Sequence, residues 1–140
     1  MMSLSATRPT ISAEQARAII DAALAEASAM SVAVTVVVVD ESGVIKAMLR
    51  MDGAPLVSVE TATNKAYASA AIGMPPDDFY RAIESDPAAV TEFATRPGLA
   101  LIAGGLPLRV DDAVAGGVGV AGAMTGAEDR RIAEAAASRR

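Results

Sequence analysis

The chain has 140 residues, 52% of them apolar and 21% charged, which predicts one globular domain with an ordinary hydrophobic core. A formal net charge of −5 argues against a nucleic-acid partner, and the lack of histidine and cysteine excludes disulfides, thiolate chemistry and Ser–His–Asp catalysis. The first ten residues have no apolar run of signal-peptide length, and no window reaches about 18 apolar residues, so we expect a cytoplasmic protein that does not enter a membrane.

The first predicted elements are a helix and a buried strand. Ser12 and Gln15 have the spacing of a capping box, and apolar residues then recur every three or four positions to about Met30. Residues 32–39 contain Thr35 as their single polar member, which predicts a strand covered on both faces in the middle of a sheet.

A second strand is predicted directly after a short turn. The turn at residues 40–43 leads into residues 44–51, where Lys46 and Arg50 share one face. Because the connection is short, the two strands should form an antiparallel hairpin.

Three helices are predicted next. The first begins near Ser58, carries a face of small residues and ends at Gly73, which suits the left-handed position after a helix. Pro76 opens a second short helix. Asp86 suits the N-cap of a third helix, with Pro87 at its first position.

The last part of the chain predicts three strands and a helix. The strands are expected at residues 99–103, 106–110 and 118–123, with one turn at Gly104-Gly105 and another between Asp111-Asp112 and Gly116-Gly117. A capping box at 125–128 starts a helix through about Ala137.

The element order is therefore α-β-β-α-α-α-β-β-β-α. It predicts an α+β fold, a single five-stranded antiparallel sheet flanked by helices. Residues 1–11 are expected to form an N-terminal tail and residues 12–138 the single domain.

The motifs that follow one another along the chain are similar to those of the GlcG/HbpS-like family, small proteins associated with haem binding or haem degradation. They are A-x-x-I-I-D-A-A at 16–23, V-x-V-V-V-x-D at 34–40, R-M-D-G-A at 50–54, K-A at 65–66, P-G-L at 97–99, G-G-x-P at 104–107, G-x-G-V-x-G-A at 117–123 and an acidic residue, Asp129, in the last helix. The resemblance covers about 120 residues. It implies an α+β fold with a five-stranded antiparallel sheet and assembly into a homo-oligomer.

Arg50 and Lys65 are the first candidate ligand-binding residues. A guanidinium fork suits a carboxylate, and a lysine can act as a point charge or, when desolvated, as a base or Schiff-base amine. Asp52 belongs to the same R-M-D-G motif as Arg50. The alternative is that both cations lie on solvated faces or pair with Asp52 and Glu60.

Further candidates lie on the same predicted helix and in the glycine pair. Asn64 and Tyr67 could supply hydrogen bonds or, for Tyr67, move a proton, although a tyrosine here also fits a packing role. Gly104 and Gly105 could bring backbone N–H groups to an anion or form a tight turn. The adjacent acid pairs do not have metal-site geometry, and no metal is predicted.

Three functions remain open from the sequence. The first is a small-molecule-binding protein whose ligand is haem or another anionic molecule, with haem implied by the resemblance; no histidine is present to ligate its iron. The second is a cofactor-independent isomerase, lyase or hydrolase acting on a small carboxylic acid, with Lys65 or Tyr67 as the catalytic residue. The third is a non-catalytic oligomeric accessory subunit. A mean hydropathy of +0.36 favours hidden surface between subunits.

Overall fold

The computed structural model describes residues 2–138, which form five helices and one four-stranded antiparallel sheet. In chain order the elements are α1 (Ala13–Ala29), β1 (Thr35–Asp40), β2 (Ile45–Arg50), α2 (Val57–Ile72), α3 (Pro76–Ile83), α4 (Pro87–Ala94), β3 (Gly105–Val110), β4 (Ala113–Ala121) and α5 (Gly126–Ala137). The strands are arranged β2-β1-β4-β3, so β1 lies inside the sheet, as its apolar sequence predicted.

The α+β class and the predicted hairpin are confirmed, and so are the main helix signals. Ser12 caps α1, with its hydroxyl accepting a hydrogen bond from Gln15 N. Gly73 ends α2 with a φ of 83°, and Asp86 caps α4. The capping box predicted at residues 125–128 is complete and starts α5. Among residues 2–138, no helix is both long enough and apolar enough to cross a membrane.

The prediction of a fifth strand at residues 99–103 is wrong. That segment forms bends and has no strand partner among the described residues. The chain joins the sheet only at Gly104, whose carbonyl oxygen accepts from Val120 N at 2.8 Å, and β3 begins at the next residue. Gly104 and Gly105 therefore lead into one strand instead of turning between two. A short apolar run cannot be distinguished from a buried loop by its periodicity alone.

The predicted boundaries of the last hairpin also need correction. Asp111 and Asp112 form the turn, both with positive φ, whereas Gly116 and Gly117 lie inside β4. These glycines allow close packing of the sheet, since an added Cβ at Gly117 would overlap the carbonyl oxygen of Ala66 on α2. At Gly116 an added Cβ would instead overlap the carbonyl oxygen of Val39 on β1, so close packing and not a turn explains both glycines.

Two apolar layers enclose the sheet. One face packs against α1 and α5, where the side chains of Val36, Val38, Val118 and Val120 are fully buried. The other face packs against α2 through a smaller cluster of valine and alanine residues. At Gly119 an added Cβ would overlap Ala62 O, so the backbone of α2 lies directly on β4. This close approach determines how far a side chain from α2 can extend past the sheet.

Candidate functional site

Lys65 and Asp129 form a buried ion pair between α2 and α5. The side chain of Lys65 is 2% exposed and that of Asp129 is 7% exposed. Lys65 Nζ donates to Asp129 Oδ2 at 3.0 Å and to the carbonyl oxygen of Val120 at 2.9 Å. The second carboxylate oxygen of Asp129 accepts from Ala123 N at 3.0 Å. Each charge therefore has both a counter-charge and a backbone partner.

The neighbouring elements place the two side chains at the end of the sheet. Because α2 lies directly on β4, the four-carbon chain of Lys65 reaches past the strand to the side on which α5 packs. The capping box at the start of α5 fixes its first turn, which contains Asp129. Gly104 completes the arrangement, since a Cβ there would lie 2.7 Å from Lys65 Nζ and 3.0 Å from Asp129 Cβ.

Burial shifts the pKa of the Asp129 carboxyl group. Desolvation raises the pKa of Asp129 above its ordinary value, with a smaller contribution in the same direction from Glu128. The Lys65 ammonium, its hydrogen bond and the Ala123 N–H act in the opposite direction and do not outweigh the burial.

The ion pair lies at the floor of a cleft of about 450 Å³, which we call the α2–α5 cleft. Its lining residues are Pro55, Val57, Ser58, Thr61, Lys65, Ile102, Ala103, Ala121, Gly122, Ala123, Met124, Thr125, Gly126 and Asp129. The apolar run that was expected to form a strand supplies part of one wall. The volume lies in the range typical of small-molecule sites.

The walls of the cleft are mainly apolar, and its polar side chains are already engaged. The Ser58 and Thr61 hydroxyls donate to backbone carbonyls three and four residues earlier, and the Thr125 hydroxyl caps α5. Among the described lining residues, Lys65 is the one cation and Asp129 the one anion. The Lys65–Asp129 pair therefore has no net charge, whether both groups are ionised or a proton has passed from Lys65 to Asp129.

The structure brings three of the sequence-predicted site residues together and leaves four apart. Lys65, Gly104 and Gly105 meet at the sheet end, where a Cβ on Gly105 would lie 2.7 Å from Lys65 O. Of these three, only Lys65 lines the cleft itself; the four residues that lie apart are Arg50, Asp52, Asn64 and Tyr67.

The positions of those four residues follow from the topology. Arg50 and Asp52 are exposed at the end of β2, and Arg50 lies across β1 from Ala121, about 10 Å away at strand spacing. Asn64 is half-buried on α2. Tyr67 packs beside Gly43 and Gly98 and lines a separate cleft with Phe93.

Sequence reasoning missed the partner of Lys65. The alternative that Lys65 is solvated or pairs with Asp52 or Glu60 is wrong, because the ammonium binds Asp129, 64 positions further along the chain. The sequence singles out Asp129 only as the acidic residue of the last family motif. The acidic position after the glycine-rich strand was a recognisable signal, but only the fold reveals that both residues meet at the end of β4.

A family model and a known protein both match most of the chain. A family model described as "Haem degrading protein HbpS-like" matches residues 11–138. Protein GlcG of Escherichia coli strain K12 is 35% identical over 114 residues, which cover 81% of this chain and 83% of that protein.

Solved structures resemble the whole domain. A double mutant of HbpS from Streptomyces reticuli superposes with a TM-score of 0.88 at 29% identity, covering 99% of this chain and 92% of that one. A PduOC:heme complex superposes with a TM-score of 0.85 at 26% identity, covering 94% and 95% of the two chains.

The buried pair predicts a specific stability pattern. Lys65→Met should lower the free energy of unfolding by about 3–5 kcal/mol, because it leaves the buried carboxyl group of Asp129 without its partner. The double variant Lys65→Met/Asp129→Leu should lose less than the sum of the two single variants. Urea unfolding of all four proteins measures this coupling.

A surface pair provides the control. Arg81 binds Asp78 at 2.6 Å, but its side chain is 62% exposed, so Arg81→Ala should cost less than about 1 kcal/mol. Equal losses for Lys65→Met and Arg81→Ala, or additive effects in the double variant, would contradict the description of Lys65 and Asp129 as a coupled buried pair.

Proposed function

The chain belongs to the HbpS-like family, and on that premise we propose that it is a small-molecule-binding protein whose ligand lies in the α2–α5 cleft. The observation that carries this proposal is the buried Lys65–Asp129 pair at the floor of an otherwise apolar cleft. Buried charges are expensive unless they are paired, and their presence beside a small-molecule-sized cavity is typical of functional sites.

The chemistry of the cleft indicates the kind of ligand. The walls favour an apolar body, and the floor can exchange hydrogen bonds with one polar group. The sequence predicted an anionic ligand. The positive charge of the Lys65 ammonium, however, is already neutralised by Asp129. We therefore propose a small, mainly apolar molecule with a single polar group.

Haem binding in relatives makes haem the first ligand to test against the residues present. PduOC is a relative whose structure contains heme. An axial ligand in this chain's cleft could come from the Met124 thioether, which is 91% exposed; Tyr67 lines a different cleft. The lining also supplies no unpaired cation for the propionates among the described residues. The cleft therefore fits haem poorly, and we assign no step to it.

A homo-oligomer remains a second proposal, supported by the edge strand β2. Val44 and three residues of β2, Ile45, Met48 and Leu49, are large apolar side chains exposed in the isolated chain. A second copy of the chain would cover them. Light scattering at micromolar concentration should give a mass above 14.1 kDa. A monomeric mass would overturn this proposal and leave the cleft proposal intact.

A matched pair of variants tests binding in the cleft. Thr61 lines the cleft and Thr63 does not, yet both lie on α2 and donate to the carbonyl four residues earlier. Short-chain alcohols, aldehydes and ketones should shift the amide NMR signals of Ala123 and Thr125 saturably, with Kd values near the millimolar range. Thr61→Phe should weaken binding at least about tenfold by filling the cleft, whereas Thr63→Phe should not.

Haemin provides the competing outcome. A haemin titration followed by absorbance should show no stoichiometric change in the Soret band. A change caused by haem in the cleft would be removed by Thr61→Phe. A saturable change lost in Met124→Leu would instead identify haem as the ligand and overturn the proposed ligand class. Equal binding of the short-chain probes to Thr61→Phe and to the unmodified chain would contradict the cleft as the binding site.

A further inference from the structure

The side chain of Lys65 is the one amine at the cleft, among the described residues, and its chemistry goes beyond ligand binding. We propose that Lys65 Nζ condenses with the carbonyl group of a small aldehyde or ketone held in the α2–α5 cleft, and that Asp129 moves the protons of this reaction. This proposal rests on the proposed function, because the carbonyl compound must first bind in the cleft.

Lys65 and its partner Asp129 both line the cleft. Two of the three ammonium protons are donated, one to Val120 O and one to Asp129 Oδ2. At position 104 a Cβ would lie 2.7 Å from Nζ and 2.5 Å from Val120 O, so the backbone of Gly104 packs directly against the amine on that side. Ala103 next to it lines the cleft. A carbonyl compound must therefore reach the amine from the cleft, which both Lys65 and Asp129 line.

The ion pair is suited to releasing a neutral amine. Proton transfer from Lys65 to Asp129 over 3.0 Å converts two buried charges into a neutral amine and a carboxylic acid. A bound apolar ligand displaces water from the floor, which favours this neutral state. The raised pKa of the Asp129 carboxyl group acts in the same direction. Activation of a lysine by desolvation is a known route to a nucleophilic amine.

The reaction balances within the pair. Lys65 gives one proton to Asp129, and the nitrogen lone pair forms a C–N bond as the carbonyl π electrons move to oxygen. That oxygen takes the proton from the Asp129 carboxylic acid, and the nitrogen then donates a second proton to the resulting carboxylate. Loss of the hydroxyl group as water, protonated by Asp129, leaves an iminium cation. One ammonium ion and one carbonyl compound give one iminium ion and one water, so no further reactant is needed.

The product also preserves the electrostatics of the site. An iminium carries the same single positive charge as the ammonium, so Asp129 keeps its buried counter-ion. Acylation of Lys65 would instead remove that charge and leave the carboxylate unpaired. The site therefore selects aldehydes and ketones over acyl donors, and the apolar walls select those with hydrocarbon substituents.

The sequence contains an internal control for the test. Lys46 and Lys65 are its two lysines, and Lys46 is exposed on β2. The whole chain is incubated with butanal and cyanoborohydride at neutral pH, which traps imines as stable alkyl adducts. Peptide mass spectrometry then gives the rate at each lysine. We expect Lys65 to react at least about tenfold faster than Lys46 despite its burial. A rate at Lys65 equal to or below that of Lys46 would overturn the inference without any variant.

Two variants test the roles of the cleft and the acid. Asp129→Asn should reduce labelling of Lys65 to the rate of Lys46, while Lys46 itself is unchanged; unchanged labelling of Lys65 would remove Asp129 from the reaction. Thr61→Phe should also protect Lys65, and Thr63→Phe should not. Circular dichroism confirms that each variant is folded before its rates are compared.

Butanol separates this inference from the proposed function. It has the chain length of butanal but no carbonyl group. If butanol shifts the cleft amides and butanal does not label Lys65 preferentially, binding in the cleft holds and the imine is refuted. If butanol does not shift the cleft amides and butanal does not label Lys65 preferentially, both proposals fail.

Discussion

The need to keep two buried charges paired is the constraint on which this structure depends. Removing an ammonium and a carboxylate from water is costly, and only close contact with each other and with backbone groups compensates for it. Lys65 and Asp129 meet this requirement through each other, Val120 O and Ala123 N. Three elements must therefore hold fixed positions: α2, the end of β4, and the first turn of α5.

The unusual composition of the sheet follows from the same requirement. The lysine side chain reaches α5 only because α2 packs directly on β4, and that contact depends on glycines at 117 and 119 facing small residues of the helix. The backbone of Gly104 then packs against the ammonium, so closely that a Cβ there would lie 2.7 Å from Nζ. Chain positions that look like weak turn signals in the sequence thus form one packed unit around the charged pair.

Local patterns predicted most of the fold. Capping residues, the valine-rich strand and the helix-ending glycine act over a few residues, so Ser12, Gly73 and Thr125 could be interpreted correctly without tertiary information. The segment at 99–103 could not, because a half-buried apolar loop has the same composition as a short strand.

The candidate site was predictable only in part. Lys65 and Gly104 were singled out, since a cation and glycines near predicted turns are recognisable types. Their relation to Asp129 could not be predicted, because it joins residues 64 positions apart through the packing of two helical layers. Tyr67 is two positions after Lys65 but lies on another face of α2, which is why it contacts Gly43 and Gly98 instead.

The protonation of Asp129 tests the account most directly. Carbon-13 NMR of the side-chain carboxyl groups, followed over a pH titration, should give Asp129 a midpoint above the ordinary value of about 3.9. The pKa of Asp78, lowered mainly by its hydrogen bond from Arg130, should move the opposite way in the same spectra. A midpoint for Asp129 at or below the ordinary value would contradict the account, because Lys65 and Asp129 would then form a fixed ion pair with a structural role alone.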